Sequence, residues 1–265
     1  MLPALAAPLT AIVRAVPDAY VRCLRTDPAP IDLERARAQH RGYIAALTDA
    51  GVTVLLLPAD EAHPDACFIE DTAVVLGAHA LITRPGAPSR RGEVGPVAAA
   101  LAAHRSVHTM HAPAILDGGD VLRAGPLLFV GLSTRSDAAG ARILAELAAR
   151  EHLEVRTIPV AAGLHLKSAV TLVDERTLVL HDGALDPAPF TAAGLDVLRV
   201  AEPVGGNVLA LGRHLLVSAD APATAALLAA RGHAVTRVEV GEFHRGDGAL
   251  TCLSLRLAPP GAWCA

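Results

Sequence analysis

The chain has 265 residues, of which 52 % are apolar, 19 % charged and 3 % aromatic, with a formal net charge of −4. That length supplies a core for one large domain or two small ones; the weak acidity disfavours nucleic acid, which needs a basic face, and so few aromatics argue against a platform for stacked bases or sugars. No apolar run approaches the ~18 residues of a membrane span, and an N-terminus broken at Pro3 and Pro8 without a basic start lacks the form of a signal peptide.

The first apolar stretch, AIVRAV (11–16), has no partner upstream and reads as a strand that pairs with the end of the chain. DLERARAQHRGYIAALTDAG (32–51) follows as a helix with Asp32 as N-cap and Gly51 as its stop, and VTVLLLP is the strand after it. A hairpin comes next, EDTAVVLGAHALIT (70–83), turning at Gly77, then a helix over 93–104 and the strand SVHTM. The same order recurs in GDVLRAGPLLFVGL (119–132), turning at Gly125, a helix over 137–151 and LEVRTIPV. It recurs again in KSAVTLVDERTLVL (167–180), turning at Asp174, with only a stunted helix before 200. GNVLALGRHLLVSA (206–219) turns at Gly212 and leads to a helix over 221–232 and AVTRVEV. LTCLSLRLA (250–258) is the last hairpin start.

Asp71, Asp120, Ser168, Asn207 and Cys252 occupy equivalent places in these units, spaced by 49, 48, 39 and 45 residues. A hairpin–helix–strand unit cannot bury its apolar face alone, and closure into a ring removes exposed sheet edges. Five such units therefore predict a closed radial α/β arrangement with the strand starts converging on its axis. In that geometry Asp71, His165 and Cys252 meet in one central pocket.

Four cysteines, Cys23, Cys67, Cys252 and Cys264, show no C-x-x-C spacing, so neither a disulfide framework nor a zinc knuckle is expected. Cys252 reads either as a core cysteine on an apolar strand or as a nucleophile, if a cation lowers its pKa. Among 12 histidines, His165 stands out between two leucines after a glycine turn, where imidazole can exchange protons near neutrality. PDACFIED carries Asp65, Glu70 and Asp71. Adjacent carboxylates beside an apolar strand repel one another unless a cation lies between them, and a guanidinium matches them through paired hydrogen bonds. LDGGDVL (116–122) sets Asp117 and Asp120 around two glycines, either as a plain turn or as the acid that orients a histidine. RPGAPSRR (84–91) and Arg135 offer guanidinium groups, either solvated or presented to a ligand carboxylate. No metal-binding signature and no dinucleotide fingerprint is visible, so neither metal nor cofactor is expected.

Taken together, PDACFIEDTAVV, ALITRPGAPSRR, LDGGDVL, FVGLSTR, GLHLKS and DGALTC resemble the dimethylarginine dimethylaminohydrolase family of the guanidine-modifying pentein superfamily. The likeness covers nearly the whole chain. It implies a five-fold pseudosymmetric α/β propeller, the pentein fold, as a single catalytic domain over 1–265 built of five ββαβ-type repeats. It also implies hydrolysis of Nω-methylated arginine to citrulline and an amine. At the matching positions Cys252 is the nucleophile, His165 the acid/base and Asp117 its orienting acid. Glu70 and Asp71 hold the guanidinium, Asp65 the amino group, and Arg90 and Arg135 the carboxylate. Leu24, in a lid over 18–30, and Gly246 and Asp247 complete the substrate contacts. Gly246 departs from the bulkier aliphatic residue of the family. The implied partner is a small molecule, with no nucleic acid and no membrane; the implied location is cytoplasmic, and a homodimer is compatible with it. Two alternatives stay open. One is deimination of another guanidine, although arginine deiminases carry a helical insertion for which this chain has no room. The other is a non-catalytic protein that binds arginine analogues.

Overall fold

The computed structural model describes residues 9–161 and 163–258, so Cys264 lies outside the described residues. The chain runs β1 (Thr10–Arg14), α1 (Leu33–Asp49), β2 (Thr53–Leu57), β3 (Ala73–Leu76), β4 (His79–Ile82), α2 (Val94–Ala102) and β5 (Ser106–Thr109). It continues β6 (Val121–Ala124), β7 (Leu127–Leu132), α3 (Ala138–Ala148), β8 (Glu154–Pro159), the single turn α4 (Leu166–Ala169), β9 (Val170–Leu172), β10 (Thr177–His181), α5 (Ala188–Ala192) and β11 (Asp196–Val200). It ends β12 (Leu209–Leu211), β13 (His214–Ser218), α6 (Pro222–Ala230), β14 (Ala234–Val238), α7 (Gly241–His244) and β15 (Leu255–Leu257).

These strands form five three-stranded sheets of one design. In each, the first strand is antiparallel to the middle one and the middle one parallel to the last. Four sheets are continuous in sequence. The fifth joins the two ends of the described chain: β1 pairs antiparallel with β15, Thr10 opposite Leu257, and parallel with β2, Thr10 opposite Thr53. The result is a five-bladed α/β propeller, with the ring closed by AIVRAV as its sequence indicated.

Local chemistry explains the helix boundaries. The Asp32 side chain accepts from the Arg35 N–H at 3.0 Å and that of Asp137 from the Gly140 N–H at 2.7 Å, each satisfying a helix-start donor. Gly51 (φ +82°) and Gly232 (φ +89°) take the left-handed conformation that ends α1 and α6. The core lies between the helices and the sheets. Val97 and Leu101 of α2 pack with Ile12 of β1, Ile69, Ile82 and Leu255 of β15, so this cluster bridges two blades. A short turn precedes each innermost strand, and four of the five, at 69–72, 117–120, 165–169 and 251–253, carry the side chains that matter below. The turn at 69–72 packs on those at 118–120 and 251–253, and α4 packs on the turns at 118–120 and 203–206. Among the described residues no helix is long and apolar enough to cross a membrane.

Candidate active site

At this end of the propeller one narrow pocket is lined by Cys252, His165, Asp71, Arg135, Asp65 and Arg90, with Leu24, Phe68, Leu164, Gly246, Asp247 and Gly248 around them. Residues from six separated segments of the chain thus meet, as the repeat geometry predicted for Asp71, His165 and Cys252. His165 is buried, and its Nε2 lies 2.9 Å from Asp117 Oδ2 while Nδ1 lies 3.9 Å from Asp71 Oδ1. Asp117 Oδ1 accepts from the Gly86 N–H at 2.9 Å, and the Arg135 guanidinium stands 3.6 Å from Oδ2. Asp71 Oδ1 accepts from the Gly119 N–H at 2.9 Å and Oδ2 from Arg90 at 2.5 Å.

Both glycines of LDGGD are demanded by close approach. A Cβ on Gly118 would meet the Glu70 carbonyl at 2.1 Å; one on Gly119 would meet Asp71 Oδ1 at 2.7 Å and His165 Nδ1 at 2.8 Å. The pair is therefore more than a turn: it lets two acids and an imidazole share one small volume.

The charges of the site follow. Burial works against a charged imidazole, but Asp71, the Asp117 hydrogen bond and Asp120 overcome it and hold His165 at about 9. Asp71 is also opposed by burial, yet His165, Arg90 and the Gly119 amide bring it down to about 2. Burial, reinforced by Glu70 and Asp71, pushes the Cys252 thiol up to about 12. At neutral pH the pocket holds a carboxylate, an imidazolium and a neutral thiol. Asp71, Asp117 and His165 bring three ligand-type atoms within 4.8 Å of one another. Both acids already face guanidinium groups, Arg90 and Arg135, so the cluster is an ion-pair network.

Two of the expected substrate contacts are engaged within the fold itself. Within the fold Glu70 and Asp71 face different cations. Glu70 is absent from the pocket lining and turns to an axial cavity, where Oε1 accepts from Lys167 at 2.6 Å and Arg256 at 3.0 Å. Neighbouring residues in a tight turn point apart, so each acid meets its own set of cations. Arg90 does line the pocket, but its guanidinium is a brace: Nε and Nη2 donate to Glu93, Nη1 to Asp71 and Nη2 also to the Phe68 carbonyl. Of a guanidinium's five N–H groups, that leaves one Nη1 hydrogen for a ligand. Arg135 is the better placed donor, since its Nη1 is buried without a hydrogen-bond partner.

The lid folds over this pocket. The Leu24 N–H donates to Asp65 Oδ1 at 3.0 Å, and Thr26 donates from N and Oγ1 to the Asp247 carboxylate at 2.7 and 2.8 Å. Gly246 has a reason to lack a side chain: its Cβ would meet the Tyr20 hydroxyl at 2.6 Å and Phe68 at 3.2 Å. The Tyr20–Phe68–Phe243 ring cluster fills the space that a bulkier aliphatic residue would take. Sequence reasoning gave no role to Phe68, Lys167, Arg256 or Glu93. Phe68 lies in PDACFIED and Lys167 in GLHLKS, whereas Arg256 in LTCLSLRLA and Glu93 at the start of the helix over 93–104 carry no local sign of a buried partner.

A family model described as N,N dimethylarginine dimethylhydrolase, eukaryotic, matches residues 13–188. A Streptomyces coelicolor protein named N(G),N(G)-dimethylarginine dimethylaminohydrolase is 43 % identical over 86 % of this chain and 88 % of its own. The chain belongs to this family. A second dimethylarginine dimethylaminohydrolase, from Pseudomonas aeruginosa, is 30 % identical over 85 % of this chain and 89 % of its own. A solved structure of the Pseudomonas aeruginosa enzyme, a cysteine-to-serine mutant complexed with citrulline, superposes with a TM-score of 0.90 at 28 % identity, covering 94 % of this chain and 98 % of that one. The dimethylarginine dimethylaminohydrolase fold, the pentein propeller, is therefore that of this chain.

Proposed function

We propose that this chain hydrolyses Nω-methylated L-arginine to L-citrulline and methylamine or dimethylamine, with all five blades forming one catalytic domain. The observation that carries the reading is the meeting of Cys252, Asp71 and the Asp117-bonded His165 in one pocket that also contains Arg135. Acid at one end and base at the other is the pattern an amino acid with a cationic tail requires. Asp71 grips the guanidinium, Arg135 and the remaining Arg90 hydrogen take the α-carboxylate, and Asp65 takes the amino group. Leu24, Gly246 and Asp247 close over the chain between.

A guanidinium is a weak electrophile, and covalent catalysis divides its hydrolysis into two easier steps. The arriving cation favours the thiolate of Cys252, whose proton leaves to solvent. The sulfur attacks the guanidinium carbon and the C–N bond to the methylated nitrogen breaks. His165, an imidazolium at rest, gives its proton to the departing amine. The now neutral imidazole takes one proton from water, which attacks the thiouronium carbon; the C–S bond then breaks, the sulfur leaving as thiolate and taking up the remaining hydroxyl proton to restore the resting thiol as citrulline is released. No oxyanion hole is needed, because the reacting group is positive and a carboxylate stabilises it.

Citrulline release from dimethylarginine, monomethylarginine and arginine tests this directly. The methylated substrates are expected to turn over faster than arginine, and Cys252→Ser to lose on the order of 10³-fold or more in kcat while remaining folded. Preference for unmethylated arginine would assign a deiminase instead, and absence of turnover on all three would leave a binding protein. Asp71→Asn is expected to lower kcat strongly and Arg135→Ala to raise KM. A near-normal kcat in the first or an unchanged KM in the second would refute this division of roles.

A further inference from the structure

Asp120 lies outside the pocket lining and fully buried, yet one carboxylate ties together three segments that supply the site. Its Oδ1 accepts from the Leu166 N–H at 2.8 Å, the residue after His165. Its Oδ2 accepts from the hydroxyls of Ser133 and Ser136, each at 2.7 Å. Those hydroxyls are themselves engaged: Ser136 Oγ accepts from the Asp117 N–H at 3.0 Å, and Ser133 Oγ from the Arg135 N–H at 2.9 Å. From Asp120, the imidazole, its acid partner and the carboxylate-binding arginine are each one or two hydrogen bonds away.

The donors around Asp120 are all neutral, and none of the ion pairs among the described residues involves it. A buried carboxylate served only by neutral donors is costly to keep. The amide that Asp120 holds is that of Leu166, directly after His165, so the carboxylate fixes where the imidazole stands. We propose that Asp120 is a positioning residue for the hydrolysis, fixing the geometry of His165, Asp117 and Arg135. The proposal rests on the assignment of His165 as acid/base.

The imidazole is faced by Asp71 from the turn at 69–72 and by Asp117 and Asp120 from the turn at 117–120. Arg90 and Arg135 stand behind the first two acids, and Cys252 lines the same pocket. Asp120 differs from the other two acids in having no arginine on it, so its removal changes the balance at the imidazole without releasing a guanidinium.

Asp120→Asn separates charge from shape. The amide oxygen can keep the Leu166 N–H, and the serine hydroxyls can turn to accept from the amide nitrogen. The test is a pH titration of the histidine Cε1–H signals by NMR, with the His165 signal assigned by its loss in His165→Gln. In Asp120→Asn this signal is expected to titrate about one unit or more lower than in wild type, and kcat to fall about 10-fold with a smaller change in KM. An unshifted His165 titration in folded Asp120→Asn would overturn the proposal. Because the NMR readout needs no turnover, a wild type inactive on methylated arginine would sink the function above without deciding this one. Should Asp120→Asn not fold, Ser136→Ala removes the link to the Asp117 amide while keeping the charge. That variant is expected to lose about 10-fold in kcat/KM, as misplaced groups do, and wild-type kinetics would refute the relay.

Discussion

Gly119 shows how much chemistry one missing methyl group permits. Its N–H binds Asp71, and its Cα lies so close to Asp71 and His165 that any Cβ would overlap both. Gly119→Ala must push the imidazole away from the pocket, and a displacement of about 1 Å costs on the order of 10²-fold in rate. Steady-state kinetics should show that loss in kcat, with Tm changed far less; full activity would mean that the imidazole tolerates displacement. Cys252 offers a second test at this scale. With the thiol held up to about 12 and His165 at about 9, a neutral alkylating agent should react slowly at pH 7 and faster as pH rises. A guanidinium compound lodged beside the sulfur without blocking it should accelerate the reaction at pH 7, because an adjacent cation favours the thiolate. Rapid alkylation at pH 6 without any ligand would contradict the neutral resting thiol.

Among the elements, β1 has a role out of proportion to its five residues. It is the middle strand of its sheet, hydrogen-bonded to β15 on one side and β2 on the other. Ile12 is fully buried in the cluster that also contains Leu255 of β15 and Leu101 of α2. Ile12→Ala therefore removes packing at the joint where the ring closes. It is expected to cost about 2–5 kcal/mol, as other large-to-small core changes do, measured as a lowered urea midpoint with unchanged m-value. A cost below about 1 kcal/mol would show that the joint is held by its backbone ladder alone. The hairpins illustrate the same dependence of element on local chemistry. Gly77, Gly125 and Gly212 adopt positive φ at their turns, and Asp174 substitutes by accepting the amides of Arg176 and Thr177.

At the scale of the whole molecule the site carries a pH dependence of stability. His165 is held at about 9, above its ordinary 6.5, so its stabilisation is complete below about 6.5 and is lost as pH rises through 9. Asp71 is held at about 2, below its ordinary 3.8, so its stabilisation is complete above about 3.8 and is lost as pH falls through 2. Between those limits the network supports the fold that also supports catalysis. The Tm difference between wild type and His165→Gln should favour wild type at pH 5–6 and shrink by pH 10. A difference that stays constant over that range would mean that the imidazolium is not stabilised by its acids.

Periodicity, caps and turn residues along the chain were enough to give five repeated units, their helices and the closure of the ring by AIVRAV. These features depend on contacts between near neighbours or on a pattern repeated five times, and both are written in linear order. The meeting of Cys252, His165 and Asp71 followed from the same repetition, because equivalent turns in a ring converge. What the linear order did not contain was the direction in which each side chain of those turns points. Glu70 and Asp71 are adjacent, but one faces Lys167 and Arg256 in the axial cavity and the other faces His165 in the pocket. Arg90 lies in a loop that suggested a ligand contact, yet Glu93 and Asp71 hold its guanidinium inside. The lid ties of Leu24 to Asp65 and Thr26 to Asp247 span 41 and 221 residues. Such partnerships are decided by which charge is nearest once burial has removed water, and only the folded chain determines that distance.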